Sequence, residues 1–496
     1  MMGNTVENPR IYIIGAGFAG RAIAREIKEK EVLGSVVAFL DDDTAKVGRR
    51  VDGIPVLGPI RDVVKLLVRT PADEAIIAIP SATRELLREL YFLLKEAGFS
   101  RIRIVPDIAQ VIEGQAHLVQ AREIDPQDLL GRSPVAIGLK KSIQWLSGKR
   151  VMVTGAGGSI GSELARQLLS AGVERLYLFG HGENSIYQID RELRSLQSGG
   201  VGVSTAIVPV LGELKDREYM NNVMKRLKAD VVFHAAAYKH VPMMEANTVA
   251  AIENNVFGTS NLIDACLQSS VKRFVLVSTD KAVEPLCVYG ASKFLSERLT
   301  MAAQSKAATG ENYMVVRFGN VLGSRGSILP LFMQQVERGG PVTVTDPRAT
   351  RYFMTIPEAC SLVLKAGGTG SGGESYLLDM GEPVLIRDLA EQVIRFSGHA
   401  PDQDIKIEYI GLRPGERLEE RLVAQDETLE QTSFPRIKRL IRGKTPFDVA
   451  DALAALRPSC YPDRDKPYDY RNRRTLRSAL RKYVPTVEEN TDEPEY

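Results

Sequence analysis

The stretch Val151-Met152-Val153-Thr154-Gly155-Ala156-Gly157-Gly158-Ser159-Ile160-Gly161 decides the fold. Arg150 to Val153 reads as a short apolar strand, and a helical pattern runs from Ser162 to about Leu169. Between them, the spacing T-G-x-x-G-x-x-G lets backbone approach a pyrophosphate at a helix N-terminus. Free N–H groups and the helix dipole meet negative charge there. Apolar runs follow at Leu176–Phe179, Ala206–Val210, Val231–Phe233 and Phe274–Val277, with helical stretches between them. Alternating strands and helices predict a doubly wound, mainly parallel sheet.

That sheet sets out the candidate cofactor residues. Gly155, Gly158, Ser159, Ile160 and Gly161 form the turn and the start of the helix. The strand Leu176–Phe179 should end at the adenosine ribose, yet Gly180-His181-Gly182-Glu183 places no carboxylate directly after it. Either Glu183 reaches back, or a 2′-phosphate sits beside His181, so NAD and NADP both stay open. Glu213 and Leu214 follow the third strand, where adenine would lie. Ala235-Ala236-Ala237 follow the fourth, with side chains small enough for close backbone approach.

Ser278-Thr279-Asp280-Lys281 closes the run Phe274–Val277, and Tyr289-Gly290-Ala291-Ser292-Lys293 comes next. A helix starting near Val288 puts Tyr289 and Lys293, four apart, on one face. A Lys ammonium there favours the phenolate, so the Tyr can act as a base near neutral pH. Tyr-x-x-x-Lys alone occurs often by chance. The neighbouring Asp280-Lys281 pair raises its weight, because a redox pair beside an acid–base pair suits oxidation followed by elimination. For Lys281 to be a base its pKa must fall, and for Asp280 to be an acid its pKa must rise. Opposite charges side by side push both the wrong way, so the pair needs a desolvated site or a shared proton.

A similar unit precedes this one. Ile11-Tyr12-Ile13-Ile14 reads as a strand, and Gly15-Ala16-Gly17-Phe18-Ala19-Gly20 leads into a helix. That is G-x-G-x-x-G in strand–turn–helix context. A second strand, Val36 to Leu40, ends in Asp41-Asp42-Asp43, where an acid could hold a ribose hydroxyl. Ala75–Ile79 reads as a later parallel strand. A nucleotide or nucleotide-sugar site and a fold kept for packing or assembly are both compatible with this unit. The expected fold is therefore α/β: two tandem Rossmann-type doubly wound parallel sheets, the second with a smaller C-terminal substrate-binding subdomain. The expected boundaries are 9–120 for the first unit and 121–148 for a connector rich in Pro and Gly. The catalytic domain with its lid spans 149–445, and a partly disordered extension 446–496. Trp145, the single tryptophan, is expected to pack between domains.

Composition excludes several classes. A net charge of +2 gives no argument for nucleic acid. The four cysteines are scattered without CxxC, which fits a reduced setting. The five histidines show no metal-ligand spacing, so no metal is expected. The polar start Met1 to Arg10 has no signal-peptide core, and no apolar run is long enough to span a membrane. The expected location is cytoplasmic, with the inner face of the cell membrane as the alternative. A homo-oligomer is expected.

From Glu123 to about Leu422 the motifs resemble the polysaccharide-biosynthesis (CapD-like) branch of the extended short-chain dehydrogenases. Its characterised members are UDP-N-acetylglucosamine 4,6-dehydratases. The resemblance rests on Val153–Glu163, His234-Ala235-Ala236-Ala237-Tyr238-Lys239-His240-Val241-Pro242 and Ser278-Thr279-Asp280-Lys281-Ala282. It continues through Arg317-Phe318-Gly319-Asn320-Val321-Leu322-Gly323-Ser324, Thr350-Arg351-Tyr352-Phe353-Met354-Thr355 and Gly411-Leu412-Arg413-Pro414-Gly415-Glu416. The N-terminal unit looks like that of the family's long branch. Long members carry transmembrane helices before it, so this chain reads as a soluble variant or a piece of a longer one. Tyr289 stands where the long branch commonly has Met, Gly180 replaces an often acidic residue, and Asp346 stands where His is frequent.

The resemblance implies water loss from a UDP-hexose, giving a 4-keto-6-deoxy sugar, with NAD or NADP tightly bound and recycled. Tyr289 with Lys293 would take the C4-hydroxyl proton, Thr279 would hold that hydroxyl, Lys281 would take the C5 proton, and Asp280 would protonate the departing C6 hydroxyl. Lys239, Asn320, Arg351, Arg413 and Glu416 would bind the UDP-sugar, Asn320 at the diphosphate and Glu416 at the uridine ribose. The arginines suit phosphate through their planar fork of donors. Region 321–445, read as helix-rich, would be the lid. A UDP-sugar 4-epimerase needs the same Tyr/Lys pair but not Asp280-Lys281. A non-catalytic nicotinamide sensor or scaffold would need neither. The basic cluster Arg471, Arg473, Arg474, Arg477, Arg481 and Lys482 reads as a solvated helix before an acidic disordered tail.

Overall fold

The structure, a computed structural model, describes residues 8–30, 33–99, 101–105, 122–123, 143–443 and 447–489. The chain divides into two compact units, Met1–Leu139 and Lys140–Tyr496.

In the first unit, strands β1 (Arg10–Ile14), β2 (Ser35–Leu40), β3 (Glu74–Ile77), β4 (Arg101–Ile104) and β5 (Arg122–Glu123) form one sheet in the order β2-β1-β3-β4-β5. The first four are parallel, and β5 runs antiparallel to β4. Ile11 to Ile14 are wholly buried, as a parallel strand covered on both faces requires. The glycine turn leads into helix α1 (Phe18–Lys30). Asp41, the candidate ribose ligand, is already engaged: its Oδ2 accepts the Ala16 N–H at 2.7 Å and the Lys46 ammonium at 3.1 Å. The turn is closed on the protein's own carboxylate.

The second unit is built on β6 (Arg150–Thr154), β7 (Arg175–Gly180), β8 (Ala206–Leu211), β9 (Val231–His234), β10 (Arg273–Thr279), β11 (Asn312–Phe318), β12 (Glu374–Leu378), β13 (Glu427–Gln431) and β14 (Ile437–Arg442). They form one sheet in the order β8-β7-β6-β9-β10-β11-β12-β14-β13. Strands β8 through β12 are parallel, and β14 and β13 add an antiparallel edge. The chain enters at β6, winds out to β8, then returns to β9 on the other side. This makes a topological switch point between β6 and β9, and the crevice beyond the strand ends there is where such sheets take ligands. The expected α/β architecture of parallel sheets is present in both units.

Two expectations for the second unit are corrected. Region 321–445 is not only a helix-rich lid, because it supplies β12, β13 and β14 to the main sheet. The charged sequence Ile437-Lys438-Arg439-Leu440-Ile441-Arg442 hides a strand whose charges are paired. Arg439 meets Glu374 and Glu430, and Arg442 meets Glu297 and Glu427. The basic cluster is likewise not a purely solvated helix. Helices α5 (Val449–Cys460) and α6 (Arg473–Tyr483) bury Leu456, Leu476 and Leu480 in the hydrophobic core of the second unit, while residues 490–496 lie outside the described residues. Trp145 packs inside the second unit, with the Arg273 guanidinium 5.3 Å from its ring.

Arg477, on α6, is buried and pairs with Glu245 at 2.9 Å. The other oxygen of Glu245 accepts the Val288 N–H at 2.7 Å. Val288 opens the helix that carries Tyr289, so the pair satisfies an amide that would otherwise be unpaired at a helix start. Arg477→Met should leave Glu245 buried without its counter-charge and cost about 3–5 kcal/mol, read as a lower urea midpoint. An unchanged midpoint would show that α6 is not part of the cooperative core.

Candidate active site

The cofactor crevice opens at the C-terminal ends of β6, β7 and β9. Gly155 has φ +67°, and a Cβ there would lie 2.7 Å from the Ala236 Cα. Only glycine lets the two loops meet. Helix α2 (Ser159–Ser170) starts after Gly158, which provides no side-chain cap. Its first N–H groups are thus left for an anion. His234 holds the loop after β9, bonding Thr154 Oγ1 at 2.7 Å and Thr259 Oγ1 at 2.9 Å. Complete burial and the charge of Lys293 keep that imidazole neutral, its pKa pulled down to about 3. A cavity of about 280 Å³ is lined by Gly155, Gly158, His181, Glu213, Leu214 and Ala235–Ala237, among others. Ser159, Ile160 and Gly161 line the adjoining cavity of about 890 Å³. These features fit a dinucleotide. Glu183 does not line either cavity; it is exposed on the first turn of helix α3 (Glu183–Ser198). At Gly180 a Cβ would lie 3.1 Å from Ile186 Cδ1, which crowds any side chain there.

The larger cavity brings together Thr279, Lys281, Tyr289, Lys293, Lys239, Asn320, Arg351, Arg413 and Glu416. Tyr289 and Lys293 lie one turn apart on helix α4 (Val288–Gln304). Gly290 lets α4 lie against the turn at Asp280–Ala282, since a Cβ there would strike the Lys281 carbonyl. Asp280 sits behind the cavity wall, 1% exposed. Its Oδ1 accepts from Thr279 Oγ1 at 2.9 Å and from Lys281 Nζ at 3.3 Å, while Oδ2 has no hydrogen-bond partner. Burial raises the Asp280 pKa against the pull of Lys281, the direction an acid needs.

Lys281 goes the other way from the expectation. Burial pulls it down, but Asp280 and Glu420 outweigh that and hold the ammonium well above its ordinary range. Tyr289 also differs. Burial pushes its phenol up to about 12, against the pull of Lys281 and a Thr279 hydrogen bond. The cation acting on the phenol is Lys281 rather than Lys293. Burial instead pulls Lys293 down to about 8, against Glu297.

The substrate side is self-paired. Arg351 donates to the carbonyls of Thr350 at 2.7 Å, Leu418 at 3.0 Å and Arg417 at 2.8 Å, so most of its fork clamps its own segment. Arg413 donates to Glu416 Oε1 at 2.9 Å, joining two residues expected to meet the nucleotide separately. Lys239 Nζ lies 3.4 Å from Ser324 Oγ, and Asn320 Oδ1 accepts from Lys281 at 3.3 Å.

The profile of the polysaccharide biosynthesis protein family matches residues 151–442. The chain belongs to that family. It is 42% identical over 429 residues to the probable polysaccharide biosynthesis protein EpsC of Bacillus subtilis, covering 86% of this chain and 70% of that one. It is 32% identical to the inverting UDP-N-acetylglucosamine 4,6-dehydratase of Campylobacter jejuni, over 57% of this chain and 79% of that one. It is also 32% identical to the UDP-glucose 4-epimerase of Rickettsia akari, over 56% and 79%. Among solved structures, Pen from Bacillus thuringiensis matches with a TM-score of 0.54 and 33% identity, over 60% of this chain and 90% of that one. Among the described residues, no helix is long and apolar enough to cross a membrane.

Three residues of the site were not singled out from sequence. Glu420 lies 3.2 Å from Lys281 Nζ and 3.6 Å from Arg351 Nε. Arg325 bridges to the glycine turn, donating to Gly157 O at 2.8 Å and, through its amide, to Ser159 Oγ at 3.0 Å. Asn255, in the π-helical turn Glu253–Phe257, joins Tyr238 to Ser292 on α4 through bonds of 2.9 Å. The sequence Glu419-Glu420, three and four residues beyond Glu416, was a signal available for the first.

The two glycine turns should separate in a binding test. Gly158 has the Gly155 carbonyl 3.2 Å from a Cβ, whereas Gly17 has open space. Gly158→Leu should abolish nicotinamide binding by calorimetry and Gly17→Leu should leave it intact. The reverse result would move the nicotinamide to the first unit.

Proposed function

We propose that this protein is a nucleotide-sugar 4,6-dehydratase, acting on UDP-N-acetylglucosamine in polysaccharide biosynthesis with NAD or NADP recycled in place. The observation that carries the reading is the meeting of Tyr289 and Lys293 with Thr279, Asp280 and Lys281 at one cavity. The names of the relatives do not choose between dehydratase and epimerase, since both match at 32%. Asp280 favours the dehydratase: burial raises its pKa, the direction an acid for a departing C6 hydroxyl needs, and a C4 epimerase leaves that hydroxyl in place.

A bound nicotinamide would supply the hydride acceptor for C4 and the hydride donor for C6. It would be held by the turn Gly155–Gly161 and the loops at His181, Glu213–Leu214 and Ala235–Ala237. Tyr289 takes the C4-hydroxyl proton, with Thr279 orienting the hydroxyl. Oxidation acidifies C5–H, Lys281 serves there as base, and Asp280 protonates the leaving C6 oxygen. Asn320, Arg413 and Glu416 hold the nucleotide end, the last two after giving up their mutual pair. Arg351 shapes that end by clamping Arg417 and Leu418. Substrate carrying deuterium at C4 tests the reading. A dehydratase delivers the label to C6, and deuterium returned to C4 of an epimer overturns it.

A further inference from the structure

The Lys281 ammonium meets three acceptors: Asp280 Oδ1 at 3.3 Å, Asn320 Oδ1 at 3.3 Å and Glu420 Oε1 at 3.2 Å. A nitrogen engaged through all three protons has no lone pair with which to take a proton from C5. If the dehydratase reading holds, on which this inference rests, Lys281 must first pass a proton to a neighbour. An amide oxygen such as that of Asn320 is too weak a base. Asp280 is assigned to give a proton to the C6 oxygen rather than to keep one from Lys281, and its buried Oδ2 has no hydrogen-bond partner. Glu420 is left.

We propose that Glu420 is the proton acceptor that frees Lys281 to act as the C5 base. Its side chain is 6% exposed and lies on the cavity wall. Its segment is fixed because Arg351 clamps Arg417 and Leu418. Lys281, Arg351 and Arg417 face the carboxylate, and against the effect of burial they keep it ionised and ready to accept. Asp280 and Tyr289 face Lys281 as well, and Lys239 feels its charge from the other side. A substrate filling the cavity removes water from the cluster. Desolvation disfavours the ion pair more than the neutral pair, so the proton crosses from Lys281 Nζ to Glu420 Oε1. One N–H bond breaks and one O–H bond forms. Lys281 then takes the C5 proton and the C5–H electrons form C5=C6. The C6–O bond breaks with its electrons on oxygen, and that oxygen takes the Asp280 proton and leaves as water. Once C6 has its hydride, Lys281 returns to C5 the proton it took there, the proton Tyr289 took from the C4 hydroxyl balances the one Asp280 gave up, and Glu420 hands its own proton back to Lys281 when product departs. Glu420 acts through Lys281 and is a positioning residue.

The test uses the full protein with UDP-4-keto-6-deoxy-N-acetylglucosamine in D2O, following loss of the C5 proton by NMR above the enzyme-free rate. This readout needs no hydride transfer. In the wild type the rate should be flat between about pH 6 and about pH 9, because the base is made inside the site. In Glu420→Gln, Lys281 can lose its proton only to solvent. The rate at neutral pH should fall about 10²-fold or more and then climb about tenfold per pH unit. Glu420→Asp should recover part of the rate with a flat profile. A Glu420→Gln rate equal to wild type, or a lowered rate with a flat profile, overturns the proposal. So does a wild-type rate that itself climbs tenfold per unit, a result that stands even if the variants fail to fold. A wild type that dehydrates substrate but shows such a slope overturns the Glu420 role alone. One that makes only a C4 epimer and exchanges nothing at C5 overturns the dehydratase reading together with it.

Discussion

Tyr289→Phe should lose about 10²–10⁴-fold in dehydration rate, the range for removing a general base, and should build up no reduced nicotinamide on mixing with UDP-sugar. The phenol is the group placed to take the C4-hydroxyl proton, and without that transfer the first oxidation fails. Its environment sharpens the expectation. Burial holds the phenol up at about 12, so Tyr289 must be brought to the phenolate before it can take that proton. Lys281 is the ammonium that draws it toward phenolate, with Thr279 hydrogen-bonded to it. The variant should keep substrate affinity, because the ring stays and only the hydroxyl goes. A variant that still oxidises C4 at the wild-type rate would remove Tyr289 from the reaction.

Lys281→Met should separate the two halves of the chemistry. Elimination stops because C5 loses its base, while C4 oxidation continues through Tyr289. Reduced nicotinamide should therefore accumulate with substrate in Lys281→Met and not in Tyr289→Phe. The phenol also loses its nearest helpful cation, so accumulation should be slower than the first turnover of wild type. Burial adds a cost in stability, since Asp280 and Glu420 lose the charge they share. Thermal unfolding should be checked beside the kinetics. If Lys281→Met exchanges the C5 proton at the wild-type rate, another group is the base.

The legible parts of the molecule are local ones. The glycine turn Gly155–Gly161, the strands around it and the helix opening at Val288 are each written in a few consecutive residues. The sequence therefore announces both the sheet and the pairs Tyr289/Lys293 and Asp280/Lys281. Contacts between distant segments are not announced. Glu420 reaches Lys281 only because the segment after Arg413 folds back across the sheet ends. Arg317, Glu297, Glu427 and Arg442 are far apart in sequence, yet they form a buried network at the antiparallel edge. Arg317 and Arg442 pull Glu297 down to about 2 despite its burial. The directions of the Lys281 and Tyr289 shifts were illegible for the same reason. Adjacency in sequence gave the partner of Asp280 but not the second carboxylate that reverses the balance at Lys281.

The central claim is that Tyr289, Lys293, Asp280 and Lys281 act together to remove water from a UDP-sugar. The most direct measurement is NMR of the product formed when the purified protein, loaded with nicotinamide, is given UDP-N-acetylglucosamine and no reductant. The expected product is a UDP-4-keto-6-deoxy sugar with a new C6 methyl signal and one water lost. A C4 epimer with its C6 hydroxyl intact, or unchanged substrate from a protein shown to bind both ligands, would contradict it.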